Sequence, residues 1–329
     1  MNEKREKNLI NILPKHYEMY DCYLNNIIGP VSDYWNVCHL PVLWAEFNFF
    51  NMNDNPHTFE DLSISVGSRF IRGEIWKDYC GISLKTYRCK DFNEFRETIL
   101  EELDNKKPIG VTLDSNNVPW NTYFQIRPHC LLVCGINDNT GDLLCCDGDF
   151  HSEGICEIDI QYLFNQYHDI LLLNNNKVES RKLNAALNYF IYVIKKNNPK
   201  KSENIKMFID SFEKCWETSD ISKIAANISK SYFLLDLTNV CNSRYNFMKG
   251  LQFFYQEFQT DLFFSIIHEL NDLYNKWDAF KGLYIKAILS GKKRYIESAI
   301  SLLCQVKEEE EDLTNKILLC CMERMGKLP

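Results

Sequence analysis

Apolar positions along this chain keep two different spacings, and the change between them falls near residue 175. Ile109, Val111 and Leu113 alternate with Gly110 and Thr112, the period of two that a half-buried strand needs. Residues 129–136 and 142–147 are unbroken apolar runs of strand length. Asn137-Asp138-Asn139-Thr140-Gly141 lies between them, and its turn formers predict an antiparallel hairpin. Asp91 and Glu94 have the spacing of a capping box, with Phe92, Phe95, Ile99 and Leu103 at helical intervals behind it and Pro108 as a stop. A shorter helix over about 22–28 runs into Gly29-Pro30, which should end or kink it.

Beyond Asn174-Asn175-Asn176-Lys177-Val178-Glu179-Ser180, a polar linker by composition, only helical spacing persists. Ile205, Phe208, Ile209, Phe212 and Trp216 form one stripe. Leu262, Ile266, Leu270, Leu273 and Trp277 form a second, and Ile296, Ile300, Leu303 and Val306 a third. The acidic run Lys307 to Asp312 reads as a solvated end or connector. No fixed-period repeat supports a solenoid. The expectation is an α+β domain over 1–175 followed by an all-helical domain over 176–329.

With 329 residues, 45% hydrophobic, the chain has material for two buried cores. A net charge of −8 argues against a dedicated nucleic-acid binder. No apolar run reaches the ~18 residues of a membrane span, and the charged start is unlike a secretory signal. Fourteen cysteines, two of the pairs adjacent, read as reduced thiols in a cytoplasmic protein rather than a disulfide framework. No phosphate-cradling glycine loop is present, so neither ATP nor another cofactor is expected.

Against that background three residues stand out. Cys22 opens the first helix, His129 opens one strand of the hairpin and Asp147 closes the other. The hairpin returns the chain to its starting level, which brings the last two side by side. A thiol at a helix N-terminus gains from amide donors and the dipole; an imidazole can hold its proton, and a carboxylate can orient the imidazole. Papain-like folds assemble a thiolate, a base and an orienter in this chain order. Asp149 rivals Asp147, because a two-residue slip keeps the same strand face. Cys38-His39 is a weaker pair, since neighbours in regular structure diverge. Cys130, Cys134, Cys145 and Cys146 invite a zinc site, but Cys145 and Cys146 should point to opposite faces, so no metal is expected.

The segments Val111-Thr112-Leu113-Asp114, Val118-Pro119-Trp120, Tyr123-Phe124 and Pro128-His129-Cys130-Leu131-Leu132-Val133-Cys134-Gly135 resemble the butirosin-biosynthesis acyltransferase family. Asp147-Gly148-Asp149-Phe150 and Ile158-Asp159-Ile160-Gln161-Tyr162-Leu163 fit the same layout, and the likeness covers about residues 12–175. It implies a papain-like cysteine-protease fold for the first domain, commonly followed by a helical one. It further implies transfer of an acyl group from a carrier-protein thioester to an amine, with Cys22 as nucleophile, His129 as base and Asp147 as orienter. The chain also resembles a related papain-like enzyme that makes the terminal amides of closthioamide.

Partners on this reading are an acyl or peptidyl carrier protein bearing phosphopantetheine and an amine acceptor, with no nucleic acid and no membrane. Asp114, Asn25 and Trp120 are expected to contact substrate, Asp114 as a carboxylate for the amine or else as a solvated strand end. Trp44-Ala45-Glu46-Phe47 would help wall off the cleft, and basic residues over 181–201 would either end helices in solvent or dock the acidic carrier. Two departures stand out. Asp21 precedes Cys22 where the family commonly has histidine, and no glutamine lies upstream as an oxyanion donor. His16, Tyr17 or Asn25, with the Cys22 amide, would have to substitute. The same three catalytic residues would also suit a peptide-processing peptidase, and a catalytically inactive binding module is the third reading.

Overall fold

The computed structural model describes residues 9–53, 55–67, 69–121, 127–176, 178–197 and 200–326; Tyr123 and Phe124 lie outside them. In chain order, a π-helical turn (Leu24–Ile28) leads into α1 (Gly29–Tyr34), a 3-10 segment (Leu40–Glu46), β1 (Phe50–Asn51), β2 (Ile64–Ser65) and α2 (Arg69–Asp78). Next come β3 (Ile82–Tyr87), α3 (Phe92–Asp104), β4 (Ile109–Asp114), β5 (Pro128–Ile136), β6 (Leu143–Asp147), β7 (His151–Ile158), α4 (Ile160–Gln166) and β8 (Tyr167–Asn175). Among the described residues six α-helices follow: α5 (Leu183–Asn197), α6 (Lys201–Thr218), α7 (Ile221–Ala226), α8 (Tyr232–Phe258), α9 (Phe264–Ser290) and α10 (Lys293–Arg324). The fold is α+β, with a mixed N-terminal region and a C-terminal helical bundle. Among the described residues, no helix is long and apolar enough to cross a membrane.

Two compact units emerge, and they are not simply the two halves of the chain. The first comprises residues 1–39 and 73–178, the second residues 40–72 and 179–329. The stretch 40–72, expected in the first domain, thus belongs with the helices. Trp44 explains why: it is fully buried against Phe190, Phe253 and Phe254, and its indole donates to Gly250 O at 2.9 Å. Phe47 stacks on Phe247 in the same core. The segment Trp44 to Phe47 is therefore interior packing of the helical unit and not the wall of an open cleft.

In the first unit the six strands lie in the order β3-β8-β4-β5-β6-β7, each pair antiparallel. The expected hairpin is β5–β6, pairing Ile136 with Leu143 and Leu132 with Cys146, with a register shift between Val133 and Gly135. The helical segment at 22–34 lies on this sheet. It comes so close that a Cβ on Gly110 would sit 3.0 Å from Ile27 Cδ1. Gly29-Pro30 does not end it; the turn before Pro30 is wound as a π-helix and α1 continues directly. A proline without an N–H is tolerated where the winding changes. Trp76 in α2 donates to Ser32 Oγ at 3.0 Å and fixes α1. At α3, Asp91 caps the Glu94 amide, but the Glu94 carboxylate accepts from Tyr87 and Lys90 instead, so only half of the capping box forms.

In the helical unit, Ile266, Leu270, Leu273 and Trp277 on α9 and Ile296, Leu303 and Val306 on α10 are buried as their spacing predicts. The acidic run behaves otherwise. It lies inside α10, and Glu310 continues the buried stripe between Val306 and Leu313. Arg244 grips its carboxylate at 2.7 and 2.9 Å, Lys201 reaches it at 2.7 Å and Trp277 donates at 2.8 Å. Burial pulls the Lys201 ammonium down to about 8 against the opposing pull of Glu310. Lys201 therefore belongs to the interior rather than to a basic docking patch. Because two cations depend on one carboxylate, Glu310→Ala should lower unfolding stability by about 3–5 kcal/mol. Urea denaturation checks this, and a loss below about 1 kcal/mol would contradict it.

Candidate active site

Asp21 explains how Cys22 is presented. Its carboxylate accepts from the Leu24 amide at 2.9 Å, and its carbonyl accepts from the Asn25 amide at 2.8 Å. That is N-cap behaviour, and it leaves Cys22 as the first residue of the helical segment. Asp21 thus starts the helix. Upstream, Asn25 ties the chain down: its Oδ1 accepts from the Tyr17 amide at 2.8 Å and its Nδ2 donates to Tyr20 O at 3.1 Å. The Tyr17 hydroxyl donates to Asp33. Asn25 is fully buried and spent on this anchoring, so it offers substrate nothing. Of the three side chains considered as oxyanion donors, only His16 keeps a ring nitrogen, Nε2, without a partner among the described residues; its Nδ1 lies 3.0 Å from Gly148 O.

Gly148 closes the same region from the other side. A Cβ there would stand 2.3 Å from Lys15 O, so the turn that carries Asp147 and Asp149 can lie against the residues before Cys22 only as glycine.

The structure brings Cys22, His129 and Asp147 together. Cys22 is 6% exposed, and its Sγ lies 3.6 Å from Pro128 O, beside both the His129 imidazole and the Cys130 thiol. His129 and Asp147 have no exposure at all. His129 Nε2 is 3.0 Å from Asp147 Oδ2. A carboxylate can only accept, so Nε2 carries a hydrogen and Nδ1 is the basic nitrogen of the neutral ring. Nδ1 has no hydrogen-bond partner and lies 3.9 Å from Asp149 Oδ2. The rivalry between the two aspartates is thus resolved by geometry: Asp147 holds one ring nitrogen, and Asp149 stands near the other. Phe150 covers the ring, stacked on it with centroids 4.2 Å apart.

Asp147 receives four further hydrogen bonds, from Trp120 Nε1 at 2.8 Å, Asn26 Nδ2 at 2.9 Å and the amides of Asp149 and Phe150 at 3.2 and 3.1 Å. Trp120 is accordingly a support for Asp147, where substrate contact was expected. Asn26, which sequence reasoning missed, also donates to Cys130 O at 2.7 Å and accepts from the Asp149 amide. Its only sequence signal is a second asparagine, four residues past Cys22, in an otherwise apolar stretch. Asp114 is elsewhere. β4 pairs Leu113 with His129, which turns Asp114 to the opposite sheet face, where it is 40% exposed and paired with His168 at 3.2 Å. Cys134 and Cys146 meet at 3.7 Å, and Cys145 faces Cys156 across the sheet. Among the described residues, no group of His, Cys, Asp and Glu side chains could hold a metal ion.

Electrostatics define the resting protonation. Burial alone would depress the imidazole, yet the Asp147 hydrogen bond and the Cys22 neighbour outweigh it and raise His129 to about 9. Burial would raise Asp147, but His129 and Trp120 hold it below the usual carboxylate range. The Cys22 thiol is pushed well up, first by its contact with the Cys130 thiol and then by burial, against the pull of His129. At neutral pH the pair therefore keeps both protons, and a thiolate can form only as one is lost. Carbamidomethylation of Cys22, followed by peptide mass spectrometry, should climb about tenfold per pH unit between pH 6 and 8 and level above about 9. In His129→Ala that plateau should vanish; an unchanged profile would contradict the coupling.

No family model matches this chain, and no curated protein matches it, so its functional reading rests on the residues themselves.

Proposed function

We propose that this chain is a cysteine-dependent acyltransferase that forms amides, with a papain-like catalytic unit built on Cys22, His129 and Asp147. The observation that carries the reading is a helix-borne thiol beside an imidazole whose Nε2 is held by a fully buried carboxylate and whose Nδ1 has no hydrogen-bond partner. The sequence resemblance over residues 12–175 adds the substrate class: a phosphopantetheine thioester on a carrier protein, and an amine.

In this mechanism the Cys22–His129 pair first releases one proton to solvent, and His129 Nδ1, then neutral, takes the Cys22 proton as Sγ attacks the thioester carbonyl. A carbon–sulfur bond forms, the bond to pantetheine breaks, and the pantetheine thiolate leaves with the proton that His129 held. An amine then attacks the acyl-enzyme. The carbon–nitrogen bond forms as the Cys22 carbon–sulfur bond breaks, and His129 carries the amine proton to the departing thiolate. Thioester exchange is nearly balanced and amide formation runs downhill, so no ATP is required. Asp147 keeps the imidazole in one tautomer through both steps, and Phe150 shields one side of the ring.

Incubation with a short acyl-pantetheine thioester, followed by intact-mass measurement, tests the reading. The expected result is a single acyl adduct that disappears in Cys22→Ala and accumulates at least 100-fold more slowly in His129→Ala. Peptide cleavage without any acyl adduct would favour a peptidase. Absence of both activities would favour a binding module that keeps Cys22 for packing.

A further inference from the structure

An amide-forming enzyme must solve a problem that a hydrolase does not. At neutral pH an alkyl amine is mostly an ammonium ion, with a pKa near ~10. It must be drawn to the acyl-enzyme ahead of water, which is far more abundant. A carboxylate beside the basic ring nitrogen would do this, and three carboxylates lie near the site. Asp147 is fully buried with its oxygens engaged. Asp21 caps the helix. Asp149 differs from both.

Its side chain is 13% exposed, and its Oδ2 lies 2.7 Å from Arg127 Nη2 and 3.9 Å from His129 Nδ1. Its other oxygen, Oδ1, accepts no hydrogen bond among the described residues. Its backbone amide is fixed by Asn26 Oδ1 and Asp147 Oδ1, so the carboxylate is positioned by the same residues that orient the imidazole. Arg127 lies 5.3 Å from the Phe150 ring, the ring that stacks on His129.

We propose that Asp149 is the acceptor-amine site: Oδ1 binds the ammonium group of the incoming amine and holds its nitrogen beside His129 Nδ1 and the Cys22 thioester. This rests on the acyl-transfer reading and adds the residue that selects amine over water. Burial raises the Asp149 pKa, and Arg127 and His129 only partly oppose that. The carboxylate is thus under-compensated as it stands, and a further cation would relieve the cost of burying it. Arg127 holds Oδ2 before the amine arrives and competes with it for the carboxylate. In the reaction the bound ammonium loses one proton to solvent through Asp149. The neutral amine forms the carbon–nitrogen bond, the Cys22 carbon–sulfur bond breaks, and His129 moves the second proton to the thiolate. Acyl-enzyme and ammonium thus give amide, thiol and one released proton.

The test preloads the full-length chain with a short acyl group from its pantetheine thioester and measures amide against free acid at pH 8, using n-butylamine as the cationic probe. Asp149→Asn should raise the KM for butylamine at least tenfold and shift the acyl-enzyme toward hydrolysis, with acylation of Cys22 slowed less than threefold. Asp149→Glu should recover most of the loss. Arg127→Gln, which removes a competing cation, should lower the KM for butylamine. Normal acylation with a butylamine KM within twofold of wild type in Asp149→Asn would overturn the proposal alone. So would a rise in Arg127→Gln equal to that in Asp149→Asn, since Asp149 would then serve only to anchor Arg127. If wild-type Cys22 takes up no acyl group, the acyl-transfer reading falls and this proposal falls with it.

Discussion

A carboxylate with no solvent contact keeps its charge only if donors replace the water it has lost, and Asp147 sets that constraint for the sheet-bearing unit. Five donors converge on it, from the helix behind Cys22, from the segment after β4, from β5 and from its own turn. Each must arrive at once for the charge to be tolerated. The requirement fixes where the Cys22 helix lies, where Trp120 comes back toward the sheet and which ring nitrogen of His129 is left for the thiol. Desolvation works against the site at every group, raising Asp147 and Cys22 and lowering His129, and hydrogen bonds reverse it for the first and last only. The resting site is accordingly a protonated pair rather than a preformed thiolate.

Two adjacent asparagines divide the labour of holding that arrangement. Asn25 faces back toward Tyr17 and Tyr20 and secures the residues before Cys22. Asn26 faces the sheet and joins Cys130, Asp147 and Asp149. The π-helical winding at Leu24–Ile28 accommodates both in a buried turn directly before Pro30. Gly148 completes the enclosure, since only a residue without Cβ lets the aspartate turn meet Lys15.

The parts of this site that follow local rules were legible in the sequence. The β5–β6 hairpin follows from two apolar runs and a turn, and the meeting of His129 with Asp147 follows from the hairpin. Asn26 was not legible, because an asparagine inside a helix reads as a mildly unfavourable surface residue until its distant partners are known. Asp114 misled because a strand-end carboxylate announces no face without a register, and pairing with β5 turned it away from His129. Glu310 failed for a related reason. One glutamate among several looks solvated, and only Arg244 and Lys201, far away in sequence, make its burial tolerable. The residence of 40–72 in the helical unit likewise depends on contacts between aromatic residues remote from one another along the chain. Strands β3 and β8 went unread as well: the first lies at an edge of the sheet with Lys85 and Thr86 exposed, and the second follows α4 without a turn.

The central claim is that a fully satisfied buried carboxylate sets the proton affinity of the imidazole beside Cys22. An NMR titration of His129 in the wild-type chain and in Asp147→Asn measures this directly. A midpoint near 9 in the wild type that falls by more than one unit in the variant is the predicted result, because burial, no longer opposed by the carboxylate, lowers the imidazole. A wild-type midpoint in the ordinary histidine range, unmoved by Asp147→Asn, would contradict it.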